Sequence, residues 1–326
     1  MLYDAGVFES KKFTIPVLSI GNLAIGGAGK SPMAEYIIRL LKNQYKIAIL
    51  SRGYKRKSKG FRLVDTADKV DQCGDEPLQF RRKFTNITVA VAEKRVEGIK
   101  ILQKDHEIII LDDAYQHRAV YAGLNILLFD FTRLDDFLLI LPAGNLREPF
   151  INRKRADLMV VSKCPDNLSK EQKELILQRL KPYPHQEVYF SYLEYGNLKK
   201  VNSDKELPLS KLATNTIYLL TGIANPTPLI NKLNTYTNNL IHHNYPDHHT
   251  FSTNNISKLA DQFIADKSEN KIIITTEKDV QRLQLPALME LLNKLPVYYL
   301  PIMARIIQPD EQKFNDLIQN YASKHI

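Results

Sequence analysis

The segment that most restricts what this chain can fold into runs from residue 16 to residue 43. Pro16-Val17-Leu18-Ser19-Ile20 reads as a short buried strand ending at Gly21, and a glycine-rich turn follows, Gly26-Gly27-Ala28-Gly29-Lys30-Ser31. Met33, Ile37, Leu40 and Leu41 then recur at helical spacing from Ser31 to about Asn43, with Pro32 where a first-turn proline is tolerated. Strand, glycine turn and helix in that order are what a phosphate-binding loop needs. Its glycines let backbone N–H groups turn toward a phosphate, and the helix N-terminus adds a favourable dipole. Lys30 is placed to reach β- and γ-phosphates and the Ser31 hydroxyl to ligate Mg²⁺. Ala24 stands where the strict loop pattern has glycine, which leaves the cradle intact. A dinucleotide fingerprint is excluded, because Gly27-Ala28-Gly29 continues into Lys30-Ser31-Pro32 with no third glycine.

The rest of the first half alternates apolar runs with helical patterns, which predicts a parallel sheet with crossover helices. Strands are expected at 47–50, 87–92, 108–111, 125–129 and 158–161. A helix is expected over 169–180, where Ser169 and Gln172 make a capping box. Val188-Tyr189-Phe190-Ser191-Tyr192 reads as a strand leading into polar connecting sequence. A second α/β unit begins at residues 217–220 and includes a strand over 271–275. The expected layout is a nucleotide-binding domain over 1–187, a hinge over 188–211 and a second α/β domain over 212–326.

A 326-residue chain with 44% hydrophobic and 25% charged residues has the composition of a folded domain pair. No apolar run reaches the roughly 18 residues of a membrane-spanning helix. Two cysteines, Cys73 and Cys164, without CxxC spacing point to a reducing compartment. The net charge of +9 points to an anionic partner. The densest basic stretch is Lys55-Arg56-Lys57-Ser58-Lys59, followed by Arg81-Arg82-Lys83, and either also reads as a solvated loop.

Five further segments carry chemistry. Glu107-Ile108-Ile109-Ile110-Leu111-Asp112-Asp113 is an apolar strand ending in carboxylates, where a phosphate-binding fold orients Mg²⁺. Gly74-Asp75-Glu76-Pro77 sets two acids in a tight turn, suited either to a base that accepts a hydroxyl proton or to a helix N-cap. Gln116-His117-Arg118 and Leu146-Arg147-Glu148-Pro149 each place an arginine after a strand, and Arg147 is suited to charge on a transferred phosphoryl group. Tyr245-Pro246-Asp247-His248-His249, with His242-His243 upstream, lacks the helical spacing and cysteine partner of a zinc site, so one catalytic imidazole is the reading taken forward.

In order, these segments resemble the tetraacyldisaccharide 4′-kinase family. The resemblance includes Leu2-Tyr3-Asp4, Ser19-Ile20-Gly21-Asn22-Leu23, the 26–32 loop, Ser51-Arg52-Gly53-Tyr54, Gly74-Asp75-Glu76-Pro77, Asp112-Asp113 with Gln116-His117-Arg118, and Pro142-Ala143-Gly144 with Leu146-Arg147-Glu148-Pro149. In the second half it includes Thr221-Gly222-Ile223-Ala224, Asp247-His248 and Thr276-Glu277-Lys278-Asp279. The resemblance implies two α/β/α domains joined by a β hinge, the first P-loop NTPase-like. It also implies transfer from ATP, with Mg²⁺, to the 4′-hydroxyl of a tetraacylated glucosamine disaccharide 1-phosphate, the lipid A precursor. By position, Gly26, Gly27, Ala28, Gly29, Lys30, Ser31, Gln116 and His117 would bind the nucleotide. Ser31, Asp112, Asp113 and Glu76 would hold the metal. Asp75 would be the base, paired with His248 from the second domain, and Arg147 would be the third catalytic group, with Glu148 lining the site.

Ala114-Tyr115 stands where the family commonly has Gly-Phe, and the loop ends in serine where threonine is common. Members also usually carry a hydrophobic segment ahead of the Leu-Tyr-Asp element, and this sequence starts almost at that element. Two readings follow: an anchor missing from this sequence, or docking through surface features such as residues 55–59. The expected setting is peripheral, on the cytoplasmic face of the inner membrane, as a monomer at an anionic surface. The alternative is a P-loop kinase or ATPase acting on another anionic membrane-associated substrate. Nucleic acid is not an expected partner, since no basic patch is interleaved with aromatics.

Overall fold

The computed structural model describes residue 3 and residues 6–136 and 138–324; Leu2 and Asp4 of the sequence resemblance lie outside them. Strand β1 (Val17–Asn22) leads through the glycine turn to helix α1 (Lys30–Leu41) and then β2 (Ile47–Ser51). A short β3 (Arg62–Leu63), α2 (Val70–Cys73) and α3 (Asp75–Lys83) precede β4 (Thr88–Val91), α4 (Arg95–Leu102), β5 (Ile108–Asp112) and β6 (Leu124–Asp130). Strand β7 (Leu158–Ser162), α5 (Lys170–Leu180) and β8 (Glu187–Tyr195) complete this stretch. Ser169 caps α5, its hydroxyl accepting from Gln172 N while the Gln172 side chain returns the bond.

The chain then builds a second unit from β9 (Leu198–Lys200), β10 (Glu206–Leu207), β11 (Thr216–Thr221), α6 (Thr227–Asn234) and β12 (Leu240–Asn244). It continues through α7 (Thr253–Ala265), β13 (Lys271–Thr276), α8 (Glu277–Leu283), α9 (Pro286–Leu292) and β14 (Val297–Leu300). Finally β15 (Ile302–Ile306) and α10 (Glu311–Ser323) return to the first sheet. The compact units are Met1–Glu194 with Met303–Ile326, and Tyr195–Ile302. The structure thus departs from the expected layout, in which 188–211 was a hinge and everything from 212 onward a second domain. Residues 188–194 are sheet, and 303–324 belong to the first unit.

The physical reason for the return is burial. Phe314 and Ile318 of α10 are fully buried in the same core as α1. The Phe314 ring lies edge-on to Tyr36 at 5.9 Å and to Tyr189 at 5.0 Å. The Tyr321 hydroxyl both donates to Val17 O at 2.9 Å and accepts from Val17 N at 3.0 Å, closing the start of β1.

The first sheet has nine strands in the order β15-β8-β7-β6-β1-β5-β2-β4-β3, and β1 pairs in parallel with both β5 and β6. Both faces are covered. Leu18, Ile20, Ile49 and Ile110 pack with Met33, Ile37, Ile38 and Leu41 of α1, while Val17, Leu50, Ile109 and Leu111 pack with Ile99 and Leu102 on the other side. That is why the strands read as continuous apolar runs without alternation. Each such α1 side chain contributes about 1.5–3 kcal/mol of transfer free energy. Because β1 is central, the loop that follows it emerges at the carboxyl edge of the sheet between the ends of β5 and β6, where doubly wound sheets bind ligands. The second unit has its own six-stranded sheet, β10-β9-β14-β13-β11-β12, parallel from β14 through β12.

Candidate active site

The turn after β1 is built from backbone conformations that favour glycine. Gly26 has φ 107° and Gly29 φ 76°, both left-handed, and Gly29 caps α1. Two braces hold this turn. The Ser162 hydroxyl, at the end of β7, donates to Ala28 O at 2.9 Å, and a Cβ on Gly29 would press to 3.3 Å of Ser162 Oγ. On the other limb Ile25 N donates to Asn145 O at 2.8 Å, Arg147 N donates to Leu23 O at 2.7 Å, and the Arg133 guanidinium donates to Ile25 O at 2.8 Å. The turn is clamped at its sides, while the Gly27 face has nothing within 4 Å of a Cβ position.

Lys30 opens α1 and bends back, donating to Asn22 Oδ1 at 3.1 Å and standing 3.5 Å from Asp113. Arg147 donates to both Asp113 oxygens, at 2.9 and 3.1 Å, and to Gln116 Oε1 at 3.3 Å. Asp113, in a left-handed conformation at φ 48°, therefore gathers two cations, which hold its carboxyl below the usual range against the opposing effect of burial. The Gln116 amide donates to Asn22 O at 2.9 Å and to Glu148 at 3.0 Å, and Glu148 is clasped by Arg155 at 2.8 and 2.9 Å. Arg155 lies 4.5 Å over the Tyr115 ring. Gly21 is required there, since a Cβ would fall 2.5 Å from Tyr115 Cβ.

Asp112 ends β5 and is 5% exposed. Its Oδ2 accepts from the Ser51 hydroxyl at 3.3 Å, whereas Oδ1 is buried with no hydrogen-bond partner. Burial, then Asp113 and Glu76, push its carboxyl up to about 7; Lys30 and Arg95 pull the other way. A buried carboxylate oxygen without a donor, with Asp113 and Glu76 acting on it, fits a divalent cation, which would supply the missing partner.

Asp75 and Glu76 form the first turn of α3, with Gly74 at φ 96° ahead of them. Asp75 is 2% exposed. The turn packs on Ser51-Arg52-Gly53-Tyr54: a Cβ on Gly74 would meet Tyr54 O at 3.2 Å, and one on Gly53 would meet Cys73 O at 2.9 Å. His117 lies where burial, then Arg95 and Arg52, lower its pKa to about 4.

Sequence reasoning quoted Asn22 and Ser51 within the resemblance but gave them no role, and it missed Arg95, Ser162 and Arg155 as parts of this assembly. Asn22, Ser51 and Ser162 are polar residues closing buried apolar strands, and that position was their signal. Nothing in the sequence marked Arg95, which is 2% exposed and donates to Ala92 O at 2.7 Å.

In the second unit, the segments of the resemblance also meet at a carboxyl edge. Gly222 N donates to both Asp279 oxygens at 3.1 and 3.2 Å, and Asp279 pairs with Arg282 at 2.9 Å. Gly222 O accepts from His248 N at 3.1 Å, holding His248 at φ 59°, with its Nε2 3.2 Å from Lys278 Nζ. The other histidines have separate partners. His242 meets Thr221 Oγ1 at 2.8 Å, His243 lies tilted 6.3 Å from the Tyr218 ring, and His249 stacks on Tyr245 at 4.5 Å.

The family model described as tetraacyldisaccharide-1-P 4′-kinase matches residues 1–323. The tetraacyldisaccharide 4′-kinase of Bacteroides thetaiotaomicron is 44% identical, the match covering 99% of this chain and 89% of that protein. The one from Flavobacterium psychrophilum is also 44% identical, covering 98% and 91%. Among solved structures, the "apo" form of LpxK from Aquifex aeolicus in complex with ATP superposes with a TM-score of 0.73 at 29% identity, covering 98% of this chain and 92% of that one.

Proposed function

Since this chain belongs to the tetraacyldisaccharide-1-P 4′-kinase family, we propose that the loop and acids described above carry out that family's reaction. The enzyme is a tetraacyldisaccharide 4′-kinase. It transfers a phosphoryl group from ATP, with Mg²⁺, to the 4′-hydroxyl of a tetraacylated glucosamine disaccharide 1-phosphate in lipid A biosynthesis.

We assign the residues as follows. The backbone N–H groups of 26–31 receive the phosphates, and Lys30 exchanges its bonds to Asn22 and Asp113 for phosphate oxygens. Arg147, delivered by the same loop that braces Ile25, meets the charge of the transferred group. Asp112, with Ser31 and support from Asp113 and Glu76, would hold Mg²⁺, which would supply neutralising charge to the phosphates. Asp75 accepts the proton of the attacking hydroxyl, and His248 is its partner group as the sequence resemblance implies. Gln116 keeps Arg147 and Asn22 in register, and His117 offers an uncharged imidazole. One chain supplies every group, so a monomer suffices.

We place the enzyme peripherally, at the anionic cytoplasmic face of the inner membrane where an acylated substrate resides. Among the described residues no helix is long and apolar enough to cross a membrane. The observation that carries the site assignment is the meeting of Lys30, Arg147 and Asp113 beside the partnerless Asp112 oxygen.

The test compares Lys30→Ala with Asp75→Ala on purified enzyme, labelled ATP and the acylated disaccharide 1-phosphate. Both variants should lose at least about a hundredfold in transfer, while calorimetry should show weakened Mg-ATP binding only for Lys30→Ala. Equal loss of nucleotide affinity in both would overturn the division of roles.

A further inference from the structure

The loop that delivers Arg147 also carries the longest run of exposed aliphatic side chains among the described residues. Leu138, Leu139, Ile140 and Leu141 are 47, 51, 45 and 45% exposed. The run is presented by ordered backbone. Leu146 N donates to Leu139 O at 3.0 Å, Leu141 N donates to Leu146 O at 2.9 Å, and Gly144 N donates to Ile140 O at 3.1 Å. Gly144 is needed for this closure, because a Cβ there would lie 2.4 Å from Leu139 O. The side chains therefore project from a fixed turn and are not surface strays.

The patch is continuous with the phosphate loop. Ile25, itself 41% exposed, is bonded to Asn145 on one side and Arg133 on the other. Asp135 and Asp136, just before the run, are paired with Arg179 at 2.8 Å and Arg133 at 2.9 Å, so no unneutralised acid rims the apolar turn on that side. Scattered exposed leucines need no explanation, but a pinned, contiguous apolar turn beside an active site does.

We propose that residues 138–141, with Ile25, are a membrane-insertion face that enters the hydrocarbon of an anionic phospholipid bilayer and holds the phosphate loop at the depth of the acylated substrate's headgroup. The proposal rests on the acylated substrate assigned above and adds where the bilayer meets the protein. Aliphatic side chains on a rigid turn partition into the acyl boundary, while the chain's net charge of +9 favours the anionic surface.

The experiment uses the full chain and vesicles of phosphatidylethanolamine and phosphatidylglycerol, with phosphatidylcholine vesicles as the uncharged control. The double variant Leu139→Ser/Ile140→Ser should bind the anionic vesicles at least tenfold more weakly than wild type, yet phosphorylate detergent-dispersed substrate within twofold of it. The protein has no tryptophan, so Leu139→Trp gives a single reporter that also serves if the double variant folds poorly. Its emission should move to the blue on anionic vesicles and be quenched by brominated acyl chains. Undiminished vesicle binding by the serine variant, or a tryptophan spectrum unmoved by vesicles, overturns the proposal. So does a concentration-dependent dimer that the serine variant abolishes, which would make this face a self-association surface. Failure of wild type on detergent-dispersed substrate would instead sink the kinase reading, and the vesicle measurements would still decide the insertion face.

Discussion

The two units end their parallel sheets in glycine-containing turns that face opposite ways energetically. In the first, the turn after β1 is clamped at its sides and closed by one internal bond, Ala28 N to Gly26 O at 3.0 Å, while the Gly27 face is open. Its cations, Lys30 and Arg147, rest on Asp113, a partly exposed carboxylate they can leave. In the second, the turn after β11 is sealed from within: Asp279, fully buried, occupies Gly222 N, accepts from the Thr276 hydroxyl and pairs with Arg282. An N–H group already bonded to a buried carboxylate has nothing to offer a phosphate. The lesson is that a glycine turn at a strand's carboxyl end binds anions only where the protein leaves its donors unpaid; where it satisfies them internally, the same geometry becomes a scaffold, here for His248.

Equal surgery at the two ends should therefore give unequal results. Removing the internal carboxylate by Asp279→Ala strips the buried Arg282 of its counter-charge, and breaking such a pair costs about 3–5 kcal/mol. Urea unfolding should show a loss of that size, and a midpoint near wild type would mean the second turn is not sealed as described. Next in size is Asp113→Ala at the open end. Its ion pairs are partly exposed, so the stability change should be about 1 kcal/mol or less. Phosphoryl transfer should nonetheless fall by roughly tenfold to a hundredfold, because Lys30 and Arg147 lose the anchor that aims them. A large stability loss without loss of transfer would reverse the comparison.

How much of this was legible in the sequence differs between the ends for the same physical reason. The open turn announces itself: Gly29, Lys30 and Ser31 stand after an apolar strand in the spacing of a phosphate-binding loop. Strands buried on both faces, such as Ile108–Asp112, were equally plain as continuous apolar runs. The sealing set was not. Asp279 and Gly222 are 57 residues apart and meet only through the register of β11 and β13. The return of 303–324 was hidden likewise, since the apolar face of Phe314, Ile318 and Ala322 would suit any core and does not name α1 as its partner. The position of Ser162 at a strand end was visible, but its partner, Ala28 O, lies 134 residues away in the chain, and local pattern does not name it.

The smallest expected effect concerns His117, whose surroundings are electropositive without being sealed. Burial, and then Arg95 and Arg52, depress its pKa from 6.5 to about 4. Between those values the unfolded chain binds a proton that the folded protein refuses. Stability from this group is thus fully present above 6.5 and lost as pH falls toward 4, because the slope follows the excess of protons bound by the unfolded state. His117→Asn keeps a polar side chain without the titration, so wild type and variant should run parallel from pH 7 to 8. Below that, the wild-type midpoint in urea should fall faster, by an amount discounted for the solvent that reaches the ring. The same depression keeps the imidazole uncharged near neutrality, so wild-type kcat/KM between pH 6.5 and 8 should show no inflection that His117→Asn removes. Parallel stability curves down to pH 4 would show that burial and the Arg95 and Arg52 guanidinium groups do not depress this ring.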